Sequence, residues 1–96
     1  MNERVEALKL ARERIASGES ITVCGALTSV NYASENLRLA CSNMKREITK
    51  AVGPNNYVND WAKPRGVRLV APDEWRTYRL AWLDHWIAFE EEEARK

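Results

Sequence analysis

Arginines and aromatic residues are concentrated in one part of this 96-residue chain, between positions 57 and 79. Guanidinium groups pair with phosphate or carboxylate in a forked geometry, and aromatic rings offer stacking surfaces for a base. The mixture is typical of sites that hold a nucleotide or single-stranded nucleic acid. The proposed constellation consists of Tyr57, Trp61, Lys63, Arg65, Arg68, Trp75, Arg76 and Arg79.

A simpler interpretation of this segment competes with the binding one. Trp61 and Trp75 can be core anchors while the arginines form a solvated rim, and the general burial preferences of these residue types favour this second interpretation. Arg79 is an exception because helical spacing puts it inside an aromatic stripe. There it must stack on a ring or meet an acid to avoid the cost of desolvation.

Catalytic and metal-binding patterns are absent from the sequence. His85 is the only histidine, and its neighbours at helical spacing are apolar, so it is expected to be a surface or satisfied side chain, with Asp84 a solvent-facing acid beside it. No glycine-rich phosphate loop or serine-hydrolase motif occurs. Cys24 and Cys41 lack a CxxC motif and are predicted to be buried thiols in a reducing compartment. We therefore expect no enzymatic activity, no cofactor and no metal site.

The formal net charge of +1 hides a division along the chain. Residues 1–37 carry −1, residues 38–79 carry +5 and residues 80–96 carry −3. The small total charge and the acidic end argue against duplex DNA as a partner. The four glutamates at positions 90–93 are predicted to be an exposed solubilising tail, with mimicry of nucleic acid as the alternative.

Length and hydropathy predict a single domain covering residues 1–96, which is large enough for a core without disulfides. The first residues are charged, and no run of 18 apolar residues is present, so we expect a cytoplasmic protein with no membrane partner.

Three long helices and one short element are predicted. The first helix covers 3–16, between Asn2 as N-cap and Gly18. Residues 20–30 are ambiguous between a strand and a short buried helix, and the helix is preferred. The second long helix covers about 32–51 and is followed by a long irregular connection, 55–71, which is where functional contacts are expected.

The last helix begins at Pro72 and carries a stripe of large aromatic side chains. At about 100° per residue the stripe occupies an arc of roughly 80°, and three aliphatic residues widen the apolar arc to roughly 200°. Such a helix is either the centre of a small bundle or part of an intermolecular contact. The stripe comprises Trp75, Tyr78, Trp82, Trp86 and Phe89, and the aliphatic residues are Leu80, Leu83 and Ile87.

The second long helix has a side of small residues, on which the bulky rings of the last helix are expected to pack. That side includes Ala33, Ala40 and Ala51. The expected fold class is therefore all-α, a small helical bundle of three main helices with a long ordered loop before the last one.

Residues 20–27 and 78–87 resemble small uncharacterised proteins encoded by tailed bacteriophages. The second block carries the resemblance, through an Arg-x-Ala-Trp-Leu-Asp-x-x-Ile pattern formed by Arg79, Ala81, Trp82, Leu83, Asp84 and Ile87. The resemblance implies a phage accessory protein in the host bacterial cytoplasm, a class that commonly binds and disables host factors or immune components. It transfers no catalytic or binding residue.

The leading functional hypothesis is a non-enzymatic protein that binds and inhibits a host factor through residues 55–79. One alternative is capture of an anionic nucleotide signal between two protomers, and the other is a purely structural role through self-association. The candidate contact residues are Tyr57, Trp61, Lys63, Arg65, Arg68, Arg76 and Arg79.

Overall fold

Four α-helices form the described part of this chain. The structure, a computed structural model, describes residues 2–28, 31–50 and 72–96, and for 72–75 the backbone only. The helices are α1 (Glu3–Ser17), α2 (Val23–Ala26), α3 (Glu35–Lys50) and α4 (Pro72–Ala94). No residue within those ranges lies in a strand, so the predicted all-α class is confirmed. None of these helices is long and apolar enough to cross a bilayer.

Local capping fixes the ends of α1, as predicted. The side-chain oxygen of Asn2 accepts hydrogen bonds from the backbone N–H groups of Arg4 at 3.0 Å and Val5 at 3.4 Å. At the other end Gly18 adopts φ 86°, the left-handed conformation that terminates a helix at little cost when the residue is glycine. The predicted range of 3–16 is therefore correct to within one residue.

The ambiguous segment after α1 contains a helix of four residues, α2, and the preference for a helix over a strand is confirmed. Thr22 begins it, because its hydroxyl oxygen accepts from the backbone N–H of Gly25 at 3.0 Å. The helix was predicted to be buried, and Val23 and Ala26 of α2 are buried, but Ile21 precedes α2 and is 77% exposed.

The start of α3 and the end of α4 differ from the predictions. Ser34 caps α3 by accepting from the backbone N–H of Leu37 at 3.1 Å, so α3 begins three residues later than the apolar spacing indicated. At its other end α4 continues through the four glutamates, which were predicted to be an exposed tail, and ends at Ala94. Glu90, the first of the four, is buried instead of exposed.

Helix α1 is the centre of the described fold. Two roles were predicted for the last helix, the centre of the bundle or part of an intermolecular contact, and the first of them is wrong. Each of α2, α3 and α4 has its principal contact with α1. The predicted close packing of α4 on the alanine side of α3 is therefore also wrong for the described residues. Ala33 is exposed and Ala51 lies outside the described residues, although Ala40 is buried. The small residues that let helices pack closely lie instead on α1, where Ala7 and Ala11 are fully buried.

A single hydrophobic core joins all four helices. Because Ala7 and Ala11 add little volume, neighbouring helices can approach α1 closely. The core cluster comprises Ala7, Leu8, Ala11 and Ile15 of α1, Val23, Ala26 and Leu27 in and beside α2, Leu37, Cys41 and Met44 of α3, and Trp82, Leu83 and Trp86 of α4.

The aromatic stripe of α4 is buried along only part of its predicted width. Tyr78, Trp82 and Trp86 are buried, and the last two stack with ring centroids 5.9 Å apart and planes at 14°. Phe89, predicted to continue the stripe, is 40% exposed. The buried face turns instead toward Leu83 and Glu90, so the helix is rotated away from the orientation that aromatic spacing alone indicates.

Candidate protein-binding surface

The turn between α1 and α2 holds Ile21 in an exposed position. Gly18 ends α1, and the backbone N–H of Ser20 then donates to the carbonyl of Arg14 at 3.1 Å. Thr22 caps α2 immediately afterwards. With the residues before and after it fixed, Ile21 projects from the protein, and it is the most exposed large apolar side chain of the described residues.

Two arginines of α4 lie beside this turn. Arg79 donates from Nη1 to the backbone carbonyl of Ile21 at 2.6 Å. Arg76 lies close to Gly18, since a Cβ atom built on that glycine would be 3.8 Å from the Arg76 Nη2 atom. One guanidinium group is therefore bonded to the backbone of Ile21, and a second lies near Gly18 at the start of the same turn. We call Gly18, Ile21, Thr22, Arg76 and Arg79 the Ile21 surface.

The two guanidinium groups differ in how they are held. Arg76 is exposed and makes no ion pair with a carboxylate of the described residues. Arg79 is half-buried and donates to the backbone of the turn, whereas an aromatic ring or an acid was predicted as its partner. Arg76 thus has its charge available to a partner, while Arg79 fixes the backbone that presents Ile21.

Only two of the seven predicted contact residues, Arg76 and Arg79, belong to the described residues, and the fold brings both to the Ile21 surface. Ile21 was not among the predicted contact residues because a β-branched residue in an apolar run is typical of the core. The usable signal was its position between Gly18 and Thr22, which act as a helix stop and a helix start. The other five, Tyr57, Trp61, Lys63, Arg65 and Arg68, lie outside the described residues.

Comparison with protein-family models, with curated proteins and with solved structures finds no match to this chain. The function must therefore be inferred from the residues themselves. The resemblance to phage proteins stays a prediction.

Of the two cysteines that were predicted to be buried thiols, Cys41 is buried and Cys24 is only partly buried. Burial raises the pKa of the Cys41 thiol, which disfavours the reactive thiolate. Asp84 is exposed, as predicted, and accepts from Nε of Arg12 at 2.6 Å, while His85 is half-buried. In residues 2–28, 31–50 and 76–96 no group of three or more His, Cys, Asp and Glu side chains could hold a metal ion.

A second polar feature, Arg4 with two glutamates, joins three helices away from any predicted site. Arg4 donates to both carboxylate oxygens of Glu47 on α3, each at 2.8 Å, and to both of Glu90 on α4, at 2.9 and 2.8 Å. Trp86 donates from Nε1 to Glu90 at 3.1 Å. All of these partners are at least half-buried, so we interpret this arrangement, which we call the Arg4 cluster, as a structural tie between α1, α3 and α4.

The Arg4 cluster changes the pKa values of its members. Burial raises the pKa of Glu90, but the hydrogen bonds and charge of Arg4 and the hydrogen bond from Trp86 outweigh burial, so the net pKa lies below its ordinary value. Hydrogen bonds to Glu47 and Glu90 raise the pKa of the Arg4 guanidinium, which stays charged at every pH of interest. Glu90 is therefore the member of this cluster that we expect to respond to acid.

Acidification is expected to remove the stability that Glu90 contributes. A carboxyl group whose pKa is lower in the folded than in the unfolded chain stabilises the fold fully at a pH above its pKa in the unfolded chain, here near 4.5. This stabilisation is lost as the pH falls through the pKa of the group in the folded chain. Urea unfolding between about pH 7 and about pH 3 should show this decline, and it should be shallower in a Glu90→Gln variant. Parallel curves for the two proteins would contradict the assignment.

Proposed function

We propose that this protein is a non-enzymatic phage accessory protein that binds and inhibits a host factor or immune component in the bacterial cytoplasm. The phage origin rests on the resemblance of residues 78–87, and the mode of action rests on the Ile21 surface. The partner surface expected from this chemistry has an apolar pocket for Ile21 and carboxylates that face Arg76.

The observation that carries the proposal is the 77% exposure of Ile21 in a turn that is bonded to Arg79 and approached by Arg76 near Gly18. Protein interfaces typically consist of an apolar residue that enters a pocket and a surrounding polar rim, with arginine among the enriched residue types. An isoleucine so exposed gives up the stabilisation that burial would supply, on the order of 1.5 to 3 kcal/mol. Burial against a partner recovers that free energy.

Preorganisation of the turn supports the same function. The backbone of Ile21 is fixed by Arg79 and by the two neighbouring helix ends, so little conformational freedom is left to lose when a partner binds. Arg76 and Arg79 also lie on the helix that follows 55–71 directly in the chain, where the remaining candidate contact residues are found. We propose that those residues also contact the partner.

Replacing Ile21 with glutamate is expected to abolish partner capture without unfolding the protein. Affinity capture from lysate of a host bacterium identifies the partner, and the affinity for the purified partner is then measured for the wild type and the variant. Because an anchor residue contributes at least about 1.4 kcal/mol to binding, the variant should bind at least tenfold more weakly. Its melting temperature should stay unchanged, since the side chain contacts little of the core.

Leu39→Glu is the matched control, because Leu39 is the next most exposed large apolar side chain, at 45%, and lies on α3. It should retain wild-type affinity, whereas Arg76→Glu should weaken binding by reversing a charge in the rim. Full affinity in both Ile21→Glu and Arg76→Glu would reject this surface. If instead a nucleotide raises the melting temperature by several degrees and no host protein is captured, nucleotide capture replaces the proposal.

A further inference from the structure

Two positively charged side chains from different helices meet at Thr28, just after α2. Arg14 of α1 donates from Nη1 to the backbone carbonyl of Thr28 at 2.8 Å and to that of Ala26 at 3.1 Å. Lys45 of α3 donates from Nζ to the hydroxyl oxygen of Thr28 at 3.2 Å. Both cations thus lie within hydrogen-bonding distance of one residue.

Most of the hydrogen-bond donors of this pair are unused. A guanidinium group has five N–H donors and an ammonium group has three. Nη1 of Arg14 makes two bonds and Nζ of Lys45 makes one, while Nε and Nη2 of Arg14 make none to the described residues. The remaining donors are free to bind an acceptor placed beside Thr28.

Neither Arg14 nor Lys45 forms a salt bridge with a described residue. Arg4, Arg12, Arg38 and Arg95 each pair with a carboxylate, whereas neither Arg14 nor Lys45 does so with any described residue. Glu6 lines the cavity next to Arg14 and makes no salt bridge with Arg14 or Lys45. Two adjacent like charges repel each other, and a bound anion would relieve that repulsion.

A cavity of about 220 Å³ opens next to Arg14. The hydroxyl of Tyr32, another lining residue, donates to the backbone carbonyl of Leu27 at 2.9 Å. Most of the other side chains around the cavity are apolar, so it suits a small apolar group more than a polar one. The apolar lining comprises Ala7, Leu10, Ala26, Leu27, Ala33 and Leu37.

We propose that Arg14 and Lys45 bind the phosphate group of a small ligand beside Thr28, with the apolar part of that ligand in the adjoining cavity. A phosphate monoester carries up to two negative charges and three acceptor oxygens, which match two cations with several unused donors. The site is separate from the Ile21 surface and does not depend on the proposed function.

Titration with inorganic phosphate and with phenyl phosphate tests the site, at constant ionic strength against sodium chloride. The two probes separate free phosphate from a phosphate ester with an apolar group. Backbone amide signals of residues 26–28 in NMR spectra should shift with saturation, and phenyl phosphate should bind more tightly because its ring enters the cavity. Equal affinities would keep the anion site and reject the role of the cavity.

Lys45→Gln is the decisive variant, because it removes one charge and leaves the bonds from Arg14 to the end of α2 in place. It should weaken phosphate binding about tenfold, the effect of losing one charge-assisted hydrogen bond. Lys50→Gln on the same helix is the matched control and should bind like the wild type. Shifts that do not saturate, or equal affinities in the Lys45 and Lys50 variants, would overturn the proposal.

Discussion

Replacing Trp86 with alanine is expected to lower the free energy of unfolding by about 3 to 5 kcal/mol, the usual cost of deleting a buried aromatic side chain. Trp86 is the largest fully buried side chain of the described residues, and it stacks on Trp82. Its Nε1 atom also donates to Glu90. A domain of this size has a total stability of only about 5 to 15 kcal/mol, so the variant should unfold at a much lower urea concentration than the wild type.

Urea unfolding followed by circular dichroism measures this loss, and Phe89→Ala supplies the control. Phe89 belongs to the same predicted stripe but is 40% exposed, so its removal should cost less than about 1.5 kcal/mol. The observed orientation of α4 predicts a large loss for Trp86→Ala and a small one for Phe89→Ala, whereas the orientation indicated by aromatic spacing buries both side chains. Similar losses for the two variants would contradict the observed orientation of the helix.

Glu90→Ala is expected to cost about 2 to 4 kcal/mol. Glu90 is only 7% exposed, and its removal leaves Arg4 with one carboxylate where it had two and leaves the Trp86 N–H without its acceptor. Alanine has the highest helix propensity, so the loss cannot come from weakening α4 itself. The decrease in the unfolding free energy at neutral pH checks this expectation.

Glu91→Ala is the control for this variant, since it removes the adjacent glutamate, whose side chain is 44% exposed. Glu91 lies 3.8 Å from Nζ of Lys9, and a surface pair of this kind contributes between 0 and about 1 kcal/mol. A double-mutant cycle with Arg4→Ala should give a coupling energy above about 1 kcal/mol for Arg4 and Glu90. Additive effects of the two substitutions would show that the Arg4 cluster is not a stabilising unit.

The contrast between Glu90 and its neighbours shows where sequence reasoning fails in this protein. Four consecutive glutamates near the end of a helix look alike, and local rules treat them all as exposed charges that weaken the terminus. Glu90 differs because the orientation of α4 points it at Arg4, 86 positions earlier in the chain. No local pattern contains that information.

The Ile21 surface was only half predictable for the same reason. Arg76 and Arg79 were identified from the clustering of basic and aromatic residues, because that signal lies within a short stretch of sequence. Ile21 was assigned to the buried segment, since its residue type favours burial and the nearby apolar residues concealed the turn. The two halves of the surface meet through contacts between positions 58 residues apart.

By itself, the sequence determined the helical class, the ends of α1, the start of α4 and the presence of a short helix after α1. These features depend on caps, breakers and apolar spacing over a few residues, so they are encoded locally. The tertiary structure alone decided that α1 is central, that α4 turns Glu90 inward and Phe89 outward, and that the turn containing Ile21 lies beside two arginines. Those outcomes depend on which helices can pack most closely against each other. Ala7 and Ala11 allow close packing against α1, but this effect exists only once the helices are assembled.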